Sequence, residues 1–263
     1  MTESKKALEK RRPRRGIYLL PNLFTTGCLF FGFYAVVSAI KGDYEQAAIA
    51  IFIAMIMDGL DGRVARLTNT STEFGVQYDS LADMVSFGVA PALVMYLWAL
   101  NGLGKLGWLA AFLYTAGAAL RLARFNTQVD VVDKKFFQGL PSPAAAALVA
   151  GTVWMGMRYE LEVQSIAYAA LTITALSGLL MVSNMRYYSF KDIDLKGKVP
   201  FLATLLIVLL FVFISLDPPL VLFIGMMCYG LSGPIMTIIL RQKRRMQRRQ
   251  GEADNDKSST KNH

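Results

Sequence analysis

The chain has 263 residues, of which 54% are hydrophobic and 18% charged, and its formal net charge is +9. Its apolar runs approach the length of about 20 residues that spans a bilayer, which excludes an ordinary soluble domain. Both cysteines, Cys28 and Cys228, lie inside apolar runs, so a disulfide framework is excluded. The only histidine is His263, which excludes histidine chemistry.

The hydrophobic pattern predicts an all-α integral membrane protein with about eight transmembrane helices. Residues 1–16 form a basic segment, which we expect to be either a tail or a helix on an anionic membrane surface. The membrane domain covers residues 17–240, and its predicted spans are 17–40, 44–66, 71–100, 108–125, 144–157, 161–182, 199–216 and 220–240. Residues 241–263 form a basic and then polar tail, which we expect to be disordered past Gly251.

The distribution of basic residues predicts the orientation of these spans. Eight spans place both termini on one side, and all but three of the 28 Lys and Arg residues fall in segments on that side. The three exceptions are Lys41, Lys105 and Arg158. Because basic loops stay on the inner face, we expect cytoplasmic termini in the inner membrane. The basic segments on the inner side account for the positive net charge, and anionic membrane lipids are the nearest partner for them. No nucleic-acid partner is therefore expected.

Four aspartates lie near the ends of the second and third predicted spans, where uncompensated charge is costly. Asp58 and Asp61 are three residues apart, and Asp79 and Asp83 are four apart, so each pair lies on one helix face. Two facing pairs would repel each other unless a cation neutralised them. Oxygen ligands suit Mg²⁺, Mn²⁺ or Ca²⁺ rather than zinc. A cation-coupled transporter is an alternative, because carboxylates in a membrane also mark ion pathways.

The segment between the two pairs is polar and is predicted to be a turn. Thr70 and Glu73 have the spacing of a capping box, which predicts that a new helix begins near Ser71. Small residues beside the carboxylates leave the backbone open to a ligand such as a diphosphate, and a nearby Arg returns to the same helix face. These residues are Gly62, Ala65, Gly75 and Arg66.

The whole stretch resembles the signature of the CDP-alcohol phosphatidyltransferases, D-x2-D-G-x2-A-R-x8-G-x3-D-x3-D, and matches every fixed position from Asp58 to Asp83. The resemblance implies a membrane enzyme that moves a phosphatidyl group from a CDP-linked lipid to an alcohol and releases CMP. It implies that Asp58, Asp61 and Asp79 hold two divalent metal ions. Asp83 would complete the site and deprotonate the acceptor, the small residues would make room for the cytidine nucleotide, and Arg66 would stay near the phosphates.

Two polar residues near the start of the first span are further candidates. Asn22 and Thr25 are three residues apart and could point into the helix bundle. Enzymes that the chain resembles often carry a Pro-Asn-x-x-Thr run at this place, beside the nucleotide. The resemblance therefore implies that both residues contact CDP.

The end of the fourth span carries a second group of candidates, Arg121, Arg124 and Asn126. Arginine can hold a carboxylate or a phosphate through forked hydrogen bonds, although inner loops are rich in arginine anyway. This segment, the Gly-Leu-Pro-Ser-Pro run at 139–143 and residues 183–191 resemble the phosphatidylserine synthase branch of the family. The resemblance implies CDP-diacylglycerol as donor and L-serine as acceptor, with these three residues beside the acceptor and the lipid phosphate.

Several alternatives stay open at the level of sequence. Glycerol 3-phosphate or an inositol phosphate could replace serine as the acceptor, and a catalytically inactive scaffold is a further reading. Glycines in the last predicted span would permit close helix packing, which leaves a homodimer open. These glycines are Gly225, Gly230 and Gly233.

Overall fold

The computed structural model describes residues 19–68, 72–127, 136–188 and 201–259. Almost all of this part of the chain is helical, in agreement with the predicted all-α class. The helices are α1 (Leu19–Ile40), α2 (Tyr44–Thr68), α3 (Glu73–Asp83), α4 (Ala90–Met95), α5 (Lys105–Thr127), α6 (Ser142–Arg158), α7 (Val163–Val182), α8 (Phe201–Leu216) and α9 (Pro218–Ser259). The basic segment 1–16 lies outside the described residues.

The third predicted span is one long helical element with two wide turns. After α3, a π-helical segment covers Met84–Val89, and a second one, Tyr96–Leu100, follows α4 before the short 3₁₀ turn Asn101–Leu103. The N-cap is Thr72, whose hydroxyl accepts a hydrogen bond from the backbone N–H of Gly75 at 3.0 Å. The helix therefore begins two residues later than predicted. Thr70 and Ser71 lie outside the described residues.

Within the described residues, five helical segments are long and apolar enough to cross a membrane, so the predicted count of eight is not confirmed. They are Leu20–Ile40, Glu73–Leu103, Lys105–Thr127, Val163–Val182 and Pro218–Ile239. The other three predicted spans correspond to α2, whose second half carries the aspartates, and to the shorter α6 and α8, with 17 and 16 residues. The length and composition of a short or charged helix do not by themselves identify it as a membrane span, even when the helix packs inside a bundle.

Helix α9 continues to Ser259, so the expectation of disorder past Gly251 is wrong. The segment after the apolar part of α9 is rich in Arg and Gln, which favour helix. A helix that has already begun therefore needs little to continue through this basic segment.

A two-stranded antiparallel ribbon is a feature of the described fold that the sequence does not predict. Strand β1 (Phe136–Gln138) pairs with β2 (Arg186–Tyr188), with Gln138 opposite Arg186. Both strands lie in segments that the polar sequence suggests are loops. The ribbon brings together the residues before α6 and those after α7, which are far apart in sequence.

Small residues bring the central helices close together. Buried alanines of α2 and α6 form much of the core, and Gly178 of α7 lies so near α5 that a Cβ atom on Gly117 would be 2.5 Å from its carbonyl oxygen. Close approach through small residues is typical of helix packing in membranes. The outward faces of α1 and α8 instead carry large apolar side chains, such as Phe33 and Phe211, which suit contact with lipid.

Candidate active site

Three aspartates from α2 and α3 form an acidic cluster, which we define as Asp58, Asp61 and Asp79. One carboxylate oxygen from each lies within 4.8 Å of those of the other two. Asp61 is only 5% exposed, whereas the other two are partly buried. The sequence predicts that the aspartates of these two helices face each other across a turn. The structure brings three of them together.

Asp83 lies one turn beyond Asp79, at the edge of the acidic cluster. Its carboxyl is close enough to Asp58 for a direct side-chain interaction, and the guanidinium of Arg121 is near enough to interact with it electrostatically. Its Oδ1 atom is enclosed and has no hydrogen-bond partner among the described residues. A buried carboxylate oxygen without a donor is costly, so this atom is suited to a ligand.

The donor set fits a divalent cation. Mg²⁺ and Ca²⁺ lie about 2.0–2.6 Å from their oxygen ligands, so two oxygens on opposite sides of one ion are roughly 4–5 Å apart. The oxygens of the acidic cluster are no more than 4.8 Å apart, so one ion can reach all three. The cluster contains no His or Cys, and hard oxygen donors favour Mg²⁺, Mn²⁺ or Ca²⁺ over zinc.

Helix α1 contributes the two polar residues that the sequence had singled out. The Thr25 hydroxyl is 2.8 Å from Oδ2 of Asp61, to which it donates, and 3.2 Å from the carbonyl oxygen of Pro21. The Asn22 side chain lies beside α3, because a Cβ atom on Gly75 would be 3.4 Å from its Oδ1. Thr25 thus orients a carboxylate of the acidic cluster, and the predicted contacts of both residues with CDP remain predictions.

The surface of α2 next to the acidic cluster is open. A Cβ atom placed on Gly59 or Gly62 would meet nothing within 4 Å in the described structure. Ala65 is half-buried, and Arg66 is exposed, with its Nε donating to the carbonyl oxygen of Gly62 at 2.9 Å. A ligand could therefore approach the α2 backbone closely, as the small residues had suggested.

The three predicted residues at the end of α5 have different surroundings. Arg121 is near enough to Asp83 for an electrostatic interaction, and its Nη1 donates to Oγ of Ser142 at 2.7 Å. Its enclosed Nε has no hydrogen-bond partner among the described residues. Asn126 Nδ2 donates to Oγ of Ser80, next to Asp79, at 3.0 Å. Arg121 and Asn126 thus border the acidic cluster.

Arg124 points to the ribbon instead. Its Nη2 donates to Oε1 of Gln138 and, at 2.8 Å, to Oδ1 of Asn184. The sequence did not single out Gln138, Asn184 or Ser142 as individual candidates. Ser142 and Asn184 do lie in the stretches whose resemblance to the serine branch was noted, and this was the only available signal.

Comparison with known proteins agrees with this geometry. The family model for CDP-alcohol phosphatidyltransferase matches residues 18–182. The chain belongs to this family. The matched part of the phosphatidyltransferase contains the acidic cluster, Asp83 and the three candidates on α5, whereas α8 and α9 follow it.

Several relatives of this phosphatidyltransferase carry the name CDP-diacylglycerol–serine O-phosphatidyltransferase. The protein of that name from Helicobacter pylori is 39% identical over 220 residues, which cover 83% of this chain and 92% of the relative. The one from Mycobacterium bovis is 37% identical over 180 residues, or 65% and 63% of the two chains. The one from Methanocaldococcus jannaschii is 40% identical over 142 residues, or 54% and 63%.

Proposed function

We propose that the chain transfers the phosphatidyl group of CDP-diacylglycerol to the hydroxyl of L-serine, giving phosphatidylserine and CMP. The observation that carries the proposal is Asp83, which follows Asp79 by one turn and has an enclosed carboxylate oxygen without a hydrogen-bond partner among the described residues. Arg121 is near enough to interact with it electrostatically. The acidic cluster is suited to a cation-bound diphosphate, and Arg121 is suited to an anionic acceptor. The names of the similar proteins from Helicobacter and Mycobacterium support serine as that acceptor.

The metal site is assigned to Asp58, Asp61 and Asp79, with Asp83 completing it. We propose two divalent ions, Mg²⁺ or Mn²⁺, with Ca²⁺ as a further occupant. When bound, these ions neutralise charge on the diphosphate and on the departing CMP. Thr25 holds Asp61 in its orientation, because its hydroxyl donates to Oδ2 of that carboxylate.

Asp83 is the proposed general base. It takes the proton of the serine hydroxyl, and the serine oxygen attacks the phosphorus on the lipid side of the diphosphate. A new P–O bond to serine forms while the P–O bond to CMP breaks, so CMP leaves with the electron pair. Arg121 would hold the anionic part of the acceptor or the lipid phosphate, since its enclosed Nε has no hydrogen-bond partner among the described residues.

The donor nucleotide is assigned to the open side of α2. Gly62, Ala65 and Gly75 leave room for it, and Arg66 is exposed at the end of the same surface. Asn22 borders this surface from α1, beside Gly75.

The site is proposed to face the cytoplasm from the inner membrane, because the basic segments cluster on the side of the aspartates. Membrane lipids surround the exposed apolar faces. A homodimer remains a proposal. Two of the three glycines that favoured it, Gly230 and Gly233, contact Tyr187 of the same chain. A Cβ atom on the third, Gly225, would meet no described residue within 4 Å.

The deciding experiment is CMP release by the purified protein with CDP-diacylglycerol and Mg²⁺ or Mn²⁺. It is run in parallel with L-serine, glycerol 3-phosphate, inositol 1-phosphate and no acceptor. Release with serine alone supports the proposal. Release with another acceptor would keep the metal site but refute serine, and no metal-dependent release with any acceptor would refute the enzyme and favour the transporter or the inactive scaffold.

A further inference from the structure

The wide turn at Met84–Val89 has a cause in the sequence, because Pro91 follows it by two residues. In a regular α-helix the N–H at this position would donate to the carbonyl of Phe87, but proline has no N–H and its ring crowds that carbonyl. The helix is widened here, and the N–H of Ala90 donates five residues back, to the carbonyl of Val85. The carbonyl of Phe87 therefore lacks the donor that an α-helix would supply.

A hydroxyl from α5 supplies a donor in its place. Tyr114 is fully buried, and its phenol donates to the carbonyl oxygen of Phe87 at 2.9 Å. The hydroxyl of the next residue, Thr115, is shared between the carbonyl oxygens of Ala111 at 3.0 Å and Gly88 at 3.4 Å. A buried carbonyl without a donor is costly, so the bond from Tyr114 stabilises the wide form of the helix.

Helix α1 contacts the same wide turn from another direction. Ser86 is fully buried, and its hydroxyl donates to the carbonyl oxygen of Cys28 at 3.0 Å. Gly32 makes room for this contact, because a Cβ atom there would lie 2.3 Å from Oγ of Ser86. The wide turn is therefore fixed by side-chain hydrogen bonds to two neighbouring helices.

Asp83 is the residue directly before the wide turn, so its backbone moves with it. Its enclosed Oδ1 has no hydrogen-bond partner among the described residues. Asp79 lies one turn earlier and has a support beside it, since Oγ of Ser80 accepts from Nδ2 of Asn126 at 3.0 Å. A change in the wide turn should therefore displace Asp83 more than Asp79.

We propose that Tyr114 is a positioning residue for the general base and acts through the wide turn that Pro91 creates. The inference rests on the proposed transfer to serine, in which Asp83 takes the proton of the acceptor hydroxyl. Tyr114 donates to the backbone four residues after Asp83 and need not touch the substrate. When its hydroxyl is lost, the carbonyl of Phe87 finds a new donor only if the turn rearranges. A misplacement of about 1 Å can reduce a rate about 100-fold.

A second tyrosine provides a matched control for the first. The other π-helical segment, Tyr96–Leu100, also has a carbonyl that accepts from a phenol, because Tyr44 of α2 donates to the carbonyl oxygen of Leu97 at 3.2 Å. This bond joins the same chemical groups, but it lies at the far end of the long helical element from Asp83. Tyr44→Phe therefore removes an equivalent bond without affecting the general base.

The test measures CMP release by the full-length protein with CDP-diacylglycerol, L-serine and Mn²⁺. We expect Tyr114→Phe to lower kcat roughly 10–100-fold, because the base is misplaced. Its KM for CDP-diacylglycerol and its Mn²⁺ affinity should stay within about twofold of wild type, because only an interaction of the transition state is lost. Tyr44→Phe should keep the kcat of wild type, although both variants lower Tm.

A change at Pro91 separates positioning from stability. In the double variant Tyr114→Phe with Pro91→Ala, the new N–H can serve the carbonyl of Phe87, so Tm should return towards wild type. We expect kcat to stay low, because the turn no longer has to be wide. This double variant also gives the kinetic comparison if Tyr114→Phe alone is too unstable to purify. Recovery of kcat together with Tm would overturn the inference, since the phenol would then serve stability alone.

The remaining outcomes distinguish this inference from the proposed function. A wild-type kcat in Tyr114→Phe, equal losses of kcat in the two Tyr→Phe variants, or a weakened Mn²⁺ affinity with unchanged kcat would refute the positioning role and leave the serine transfer intact. An absence of serine-dependent CMP release by the wild-type protein would refute the proposed function, and the inference would fail with it.

Discussion

The acidic cluster and the arginines of α5 are held in place by very different parts of the chain. Asp58, Asp61 and Asp79 come from two helices that follow one another in sequence, with one hydroxyl of α1 as support. Arg121 and Arg124 are instead held by residues of α6 and of the ribbon, which is itself fixed to α9. Changes at the acidic cluster should therefore affect metal binding and chemistry, whereas changes at Arg121 should affect the acceptor.

The largest effect is expected from removal of a metal ligand. Asp61→Ala should lower the rate of CMP release at least about 10³-fold, because several kcal/mol of charge stabilisation are lost. Binding of Mn²⁺, followed by electron paramagnetic resonance, should weaken in parallel. Glu73→Gln is the matched control, since Glu73 is an exposed acid of α3. An Asp61→Ala protein that titrates with metal as wild type does would contradict the ligand role.

Asp83→Asn should stop the chemistry while it leaves donor binding in place. A general base contributes about 10²–10⁴-fold, so we expect a loss of that order in kcat. Binding of CDP-diacylglycerol, measured by equilibrium methods in detergent, should stay within a few fold of wild type. Full activity of Asp83→Asn would refute the assignment of the base.

Arg121→Lys tests the acceptor side with the charge kept. Lysine cannot reproduce the forked guanidinium that donates to Ser142, so the KM for serine should rise about 10–100-fold. The metal dependence should not change. Arg158→Lys, at the exposed end of α6, serves as the control. A shift in metal dependence without a change in serine KM would mean that Arg121 belongs to the metal side.

Thr25→Val should weaken metal binding by roughly tenfold, because partners of metal ligands contribute about 10–100-fold. The variant keeps the shape of the side chain and removes the bond to Asp61. Thr25→Ser keeps the hydroxyl and should bind metal like wild type. Thr26→Val, one position along and exposed, should bind Mn²⁺ like wild type. Equal metal affinity of Thr25→Val and wild type would remove α1 from the metal site.

The smallest effect on chemistry is expected in α9, where Gly230 and Gly233 form a notch that receives the ring of Tyr187. Gly233→Ala places a methyl group on that ring, so stability should fall by about 1–3 kcal/mol. Gly225→Ala, where the methyl group meets no neighbour in the part of the chain that the structure describes, should be close to neutral. Thermal unfolding in detergent measures both. Equal Tm values for the two variants would show that the notch does not hold Tyr187.

The same contrast explains how much could be predicted. Helix periodicity and the spacing of the aspartates depend on residues within one or two turns, so α2, α3 and the acidic cluster could be inferred from the sequence. The ribbon could not, because three-residue strands carry little pattern and their pairing joins residues 136–138 to residues 186–188. The contacts of Arg124 and the notch at Gly233 depend on that pairing. Glycines of α9 were interpreted as a surface for a second chain because sequence does not show what faces them.

The wide turn that follows Asp83 has a consequence for the way in which this helix could vary. A π segment contains an extra residue, and one residue corresponds to about 100° of rotation around an α-helix. The segment Met84–Val89 therefore rotates the residues before it relative to the residues after it around the axis of the same helical element. Deletion of one residue there would turn Asp79 and Asp83 relative to the buried side of α4, so the carboxylates and the core could not both keep their places. Insertions or deletions should be tolerated least at this point, although no ligand needs to touch it.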